Sequence, residues 1–178
     1  MQINQLLSAI TQTIHSHLPD LKDVSTHAGR FDLGEVKRVA NHTPTVKVAL
    51  MEARDFKPVE TEQRDVSLRL AAFVMVSDSR KLPKDEAAIN IIEALSLLIA
   101  EQRWGMDGVL AANGIKASNL YSSQTDRQGL AIWGITWDQV MRLKSSIWQP
   151  NQTFPSRLYV ADEPSEYGQE DAYDLLHE

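Results

Sequence analysis

Residues 83–104 read PKDEAAINIIEALSLLIAEQRW, and this stretch decides how the rest of the chain must be arranged. Pro83 stands where a first-turn proline is tolerated, Asp85 and Glu86 complement the positive end of a helix dipole, Arg103 falls in the last turn, and Gly105 offers a left-handed stop. A helix from Pro83 to Trp104 is thus marked at both ends. At a rise of about 1.5 Å per residue it makes a rod roughly 30 Å long. Only Glu86, Asn90, Glu93 and Ser96 form a polar stripe along it. Ile89, Ile92, Leu95 and Ile99 make one apolar face, and Ala88, Ile91, Leu98 and Gln102 a neighbouring one, so a single sheet covers only part of the circumference. A second cover is expected, from another helix or another subunit. A membrane span is not expected, because Glu93 falls mid-helix and no unbroken apolar run approaches the roughly eighteen residues required.

Toward the N-terminus, Ile3, Leu6, Leu7, Ile10, Ile14 and Leu18 recur at helical spacing, which predicts an amphipathic helix over 3–18, ended by Pro19 and Asp20. It is the expected second cover for the central helix. His15 and His17, two residues apart, point roughly 200° apart around such a helix and cannot chelate one metal from it. Residues 20–43 show neither period; Val24 and Phe31 are the candidate anchors, with turns at Gly29 and Gly34. Pro44 opens a strand over 45–52, with Val46, Val48 and Leu50 on one side, and 55–60 reads as a polar loop around Pro58. The next strand reaches Val76. One face carries Val66, Leu68, Leu70, Ala72, Val74 and Val76; the other begins polar at Asp65, Ser67 and Arg69 and finishes apolar at Ala71, Phe73 and Met75. The two strands are expected to pair as an antiparallel hairpin.

Beyond the central helix, residues 105–115 form a glycine-punctuated connection in which Val109 to Ala112 suggest a short helical turn. A strand over 116–123, a polar turn over 124–129 and a long strand over 130–143 follow. In the last, Leu130, Ile132, Thr136 and Val140 face one way, with Gly134 among them, and Ala131, Trp133, Ile135, Trp137 and Met141 the other. Asp138 and Gln139 break the pattern, suggesting a bulge or emergence into solvent. The expected fold is α+β, a mostly antiparallel sheet of about four strands in two hairpins, packed against a long central helix and an N-terminal helix.

With 178 residues and 43% hydrophobic content, the chain suits one domain, expected over 1–148. Residues 149–178 read as an acidic extension that wraps the surface or is partly disordered. From Asn151 onward seven acidic residues face Arg157 alone, whereas residues 1–150 carry 17 acidic and 17 basic groups. A neutral body with an acidic tail argues against broad nucleic-acid binding, which needs a basic surface to displace counterions. There is no cysteine, so disulfides, thiol catalysis and cysteine-ligated zinc are excluded, and a reducing compartment is expected. The N-terminus lacks the basic segment and cleavage site of a signal peptide, and the expected location is the cytoplasm of the cell that makes it.

No catalytic, cofactor-binding or metal-ligating set emerges. GxSxG, HExxH and phosphate-cradling glycine loops are missing, and the five histidines are not grouped with acids. One layout imitates a magnesium-dependent nuclease: Asp20 or Asp32 with Glu35 and Lys37, in which two carboxylates hold the ion and the lysine assists. Gly34 before it and Arg38 after it are unlike the apolar strand on which such a motif normally sits. A non-enzymatic role is expected.

The order helix, irregular segment, strand pair, long apolar helix, strand pair, tail resembles the tail terminator, or tail completion, proteins of Mu-like contractile-tailed phages. The residues that carry the resemblance are HAGRFD (27–32), TPTVKVAL (43–50), VSLRLAAFVMVSD (66–78) and EAAINIIEALSLLIAEQ (86–102). It covers roughly 1–148 and assigns no role to the extension. The resemblance implies a hexameric ring on the head-proximal end of the tail, which stops addition of tube and sheath subunits and presents a head-joining surface. Implied partners are further copies of the chain, tube and sheath proteins and a head or neck completion protein, with no sequence-specific nucleic-acid binding and no membrane. The implied location is the host cytoplasm during assembly and then the virion tail. The loop over 55–62 and its adjoining strand are expected to face a neighbour or the tube. A neck or head-completion protein is the alternative within the same class.

Overall fold

The structure, a computed structural model, describes residues 2–29, 39, 42–59, 63–79, 82–120, 129–143, 159–160 and 174–175. The chain divides into two compact units, Met1–Lys144 and Ser145–Glu178. In the first, the described residues form a five-stranded sheet that carries two helices on one face. Its elements in order are α1 (Gln2–His17), β1 (Asp23–Thr26), β2 (Thr45–Pro58), β3 (Arg64–Ser77), α2 (Lys84–Ile99), β4 (Asn113–Asn119) and β5 (Leu130–Leu143), and the strand order is β1-β2-β3-β5-β4. In the second unit the described residues form one short antiparallel pair, β6 (Tyr159–Val160) with β7 (Asp174–Leu175).

The centre of the sheet follows from alternation. β3 and β5 pair without a break from Arg64↔Leu143 to Ser77↔Leu130, which brings Val66, Leu68, Leu70, Ala72, Val74 and Val76 onto the face with Ile135, Trp137 and Met141. Leu6, Ile10 and Ile14 of α1 and Ala88, Ile92, Leu95 and Ile99 of α2 close over that face in one core. Each such valine, leucine or isoleucine side chain contributes roughly 1.5–3 kcal/mol by leaving water.

Several expectations are corrected. The sheet has five strands, not four, because β1 adds to the edge parallel to β2, Asp23↔Thr45 through Thr26↔Val48. The central helix is not the 22-residue rod expected; it spans 16 residues and stops at Ile99. Its end unwinds because Glu101 (φ 60°) and Trp104 (φ 57°) adopt left-handed backbone, turning Trp104 into the core to 5% exposure. Pro83 is the N-cap, and the Asp78 carboxylate accepts the Lys84 backbone N–H at 3.0 Å.

α1 does not cap α2 from above. It lies on β1 and β2, while α2 lies on β3, β5 and β4, so the helices sit side by side over the sheet. The outer side of α2 keeps Ile89 and Leu97 exposed, at 51% and 74%. Residues 55–58, expected as a loop, continue β2, with irregularities between Leu50/Glu52 and Arg54/Lys57 and with Asp55 at φ 55°. Val109 to Ala112, expected as a helical turn, run extended: Val109 bridges Met141, and the Leu110 N–H donates to the Val140 carbonyl at 2.9 Å. Asp138 and Gln139 stay in register within β5, and the irregularity lies on β4 between Asn113 and Lys116.

Candidate interaction surface

The face of the sheet away from the helices is divided along its length. At one end, register places opposite charges across the strands: Asp65↔Arg142, Arg69↔Asp138 and Glu52↔Arg69. Arg69 grips Asp138 with two hydrogen bonds of 3.0 Å, and Arg142 grips Asp65 with two of 2.8 and 2.9 Å. Arg54 reaches Glu52 at 2.9 Å and Asp138 at 3.6 Å. The hydrogen bond from Arg69 holds the Asp138 carboxyl below its ordinary range against a smaller opposing effect of burial, and Arg142 does the same for Asp65. At the other end the face is apolar: Met75, Leu130 and Ile132 are buried, with Phe73 and Val39 packed against them. Gly134 lies opposite Phe73, and a Cβ there would stand 3.2 Å from Leu120 Cδ1, so a larger residue would push Leu120 outward by a few tenths of an ångström.

Among the described residues, four exposed large apolar side chains lie at the two lateral edges of the sheet. Met51 and Phe56, at 46% and 50% exposure, belong to β2 where it runs past β1. Leu110 and Leu120 flank β4 at the opposite edge, and Ile89 and Leu97 project from α2 away from its buried face. Apolar side chains therefore lie at opposite edges of one sheet, interspersed with Glu52, Arg54 and Lys57 at the first, while α2 exposes two more beside Glu93.

Among the described residues the arrangement brings together little reactive chemistry. Ser25 Oγ lies 2.6 Å from Lys47 Nζ, a spacing that invites comparison with a serine–lysine pair. Lys47, however, is ion-paired to Asp23, which also accepts bonds from the Ser25 and Thr45 hydroxyls. Burial pushes the Asp23 carboxyl up, but Lys47 and the two hydroxyls outweigh it and leave the group below its ordinary value. A lysine held as the cation of such a pair has no lone pair to take the serine proton, so the cluster fastens β1 to β2. His15 is exposed and His17 bonds back to the Thr13 carbonyl. Of the nuclease-like layout, Asp20 is exposed, and Asp32, Glu35 and Lys37 lie outside the described residues. Among the described residues there is no group of three or more metal-ligating side chains, and no helix long and apolar enough to cross a membrane. A shallow cavity of about 240 Å³ between Gln2, Gln5, Met106, Asp107, Met141 and Arg142 gathers no acid–base set.

Sequence reasoning placed the charged half of β3 correctly but missed its pairing. The spacing D-x-x-x-R in Asp65 to Arg69, repeated in the same order as Asp138 to Arg142, carried the signal, since two antiparallel strands with that spacing match each acid to an arginine.

The sequence that builds this fold matches a family known from phages. The family model described as Bacteriophage Mu, Gp37 matches residues 2–141, from the start of α1 almost to the end of β5. The Mu-like prophage FluMu protein gp37 of Haemophilus influenzae is 25% identical over 147 residues, covering 78% of this chain and 73% of the relative. The resemblance to proteins of Mu-like phages is thereby borne out, and the chain belongs to the Bacteriophage Mu Gp37 family.

Proposed function

We propose that this chain is a structural phage tail protein that forms a ring on the head-proximal end of the tail, stops polymerisation of tube and sheath, and offers the surface to which the head joins. One observation carries the reading: exposed apolar side chains lie at both lateral edges, Met51 and Phe56 at one and Leu110 and Leu120 at the other. A closed ring requires a heterologous interface, in which each subunit offers two unlike surfaces to its two neighbours. A twofold dimer would need only one. The β2–β3 arm, with Met51 and Phe56, is then the contact toward one neighbour or toward the tube. The Mu Gp37 family membership supports the phage context. The partners are further copies of the chain, tube and sheath proteins and a head or neck completion protein; the protein acts without catalysis, first in the host cytoplasm and then in the virion tail. Deleting residues 56–60 should abolish ring formation and give tails of uncontrolled length. Rings and tails unchanged by that deletion would remove the arm from the interface.

A neck or head-completion protein is the second reading, favoured by the same two-edged surface. Pull-down with purified tail tubes separates the two, since a neck protein would bind the portal side and leave the tubes uncapped.

A further inference from the structure

We propose that Asn113 is a site of spontaneous deamidation, at which β4 converts an asparagine to aspartate and isoaspartate through a cyclic imide. Asn113-Gly114 is the one Asn-Gly pair in the chain. A regular strand protects such a pair, because the extended backbone holds the following amide nitrogen away from the side chain and the ladder occupies its N–H. β4 lacks this protection at its start. Its register with β5 shifts between Asn113↔Asp138 and Lys116↔Thr136, which leaves Gly114 and Ile115 outside the pairing. Gly114 adopts φ 61°, carries no Cβ to crowd an incoming carbon, and is exposed together with Asn113.

The chemistry needs only water. The Gly114 amide nitrogen loses its proton to solvent base and attacks Asn113 Cγ; the N–Cγ bond forms, the Cγ–Nδ2 bond breaks, and the amide nitrogen leaves as ammonia after taking a proton from water. Water then adds to either carbonyl of the five-membered ring, and the ring opens to aspartate or isoaspartate. Neither step changes an oxidation state.

The product alters the sheet edge. Asn113 is the cross-strand partner of Asp138, and the position of a Cβ on Gly114 lies 3.6 Å from Asp138 Oδ2. A carboxylate at 113 sets like charge beside Asp138 and competes with it for Arg54 and Arg69. Isoaspartate further inserts a methylene into the main chain where β4 begins, next to the edge that carries Leu110 and Leu120. The site is independent of the ring reading, because it rests on the backbone of β4 alone.

The test uses the full chain, incubated in warm, mildly alkaline buffer and sampled over days. Peptide mass mapping follows conversion of amide to acid, and enzymatic methylation detects isoaspartate. Asn90 in α2 and Asn119 at the end of β4 serve as internal comparators. Asn113 is expected to convert at least an order of magnitude faster than either, and a slower relative rate would overturn the proposal. In denaturant the expected rate at Asn113 stays within an order of magnitude of the native rate. Stronger protection by the native fold would show that the irregular start of β4 does not free Gly114, and would overturn it as well.

Discussion

The indole N–H of Trp104 donates to the side-chain oxygen of Gln139 at 2.8 Å, joining the unwound end of α2 to the middle of β5. Gln139 is 1% exposed, yet every polar atom of its side chain is used: its oxygen also accepts from Trp137 Nε1 at 3.2 Å, and its nitrogen donates to the carbonyls of Gln102 and Leu110, each at 2.8 Å. One amide therefore fastens the α2–β4 connection to the sheet. Trp104 and Trp137 lie with ring centroids 6.2 Å apart beside it.

Replacing Gln139 by leucine keeps the volume and leaves two indole N–H groups and two carbonyls without this partner. The expected cost is about 3 kcal/mol, since each buried orphaned group costs roughly 1 kcal/mol or more. Denaturant titration followed by tryptophan fluorescence measures it, and the emission of Trp104 and Trp137 should shift even in the folded variant. A loss indistinguishable from zero would mean that the connection holds without the amide.

How much of this was legible in sequence follows from the range of the forces involved. The alternation of β3 and β5 and the period of α1 are local and could be read directly. The end of α2 could not, because Trp104 leaves the helix for Gln139, 35 residues on. β1 was equally hidden: four residues, DVST, show no alternation, and their partners Thr45 and Lys47 lie more than twenty residues away. The exposed apolar edges were beyond reach because Met51 and Phe56 look like ordinary strand and loop residues until the irregularities in β2 and the short reach of β1 are known.

Arg69→Ala removes a two-bonded partner of Asp138 on an open face. Exposed ion pairs contribute little and are screened by salt, so the expected loss is small and smaller still in concentrated salt. Chemical denaturation at two salt concentrations decides the matter; a large, salt-insensitive loss would mark a structural role for the pair.

The depressed carboxyls fix the sign of the acid response. Asp23, Asp65 and Asp138 all lie below the ordinary value of 3.8 in the folded chain. The unfolded chain then binds more protons, so their contribution is fully present above that ordinary value and is lost as pH falls through the lower folded values. Thermal melts should be flat with respect to these groups near neutrality and decline below about pH 4. Asp23→Asn should flatten part of that decline while lowering stability at neutral pH; an unchanged acid profile would contradict the assignment.

Substituting Leu110 by lysine alters an exposed side chain at the β4 edge and should change the stability of the isolated subunit by no more than about 0.5 kcal/mol. Self-association should nevertheless fall sharply, as it should for Phe56→Lys at the opposite edge. Mixing the two variants should restore one contact per pair, between the intact edge of each, and give dimers without closed rings. Variants that assemble normally would show that these edges do not meet.

The most direct measurement is the mass of the protein in solution by light scattering, over a wide range of concentration. The chain weighs 20.0 kDa. A ring of six predicts one discrete species at about six times that mass, with no stable twofold intermediate, as expected for a heterologous interface that closes by rotation. A dimer that persists at every concentration, or a chain that stays monomeric at all of them and also on purified tail tubes, would contradict the ring.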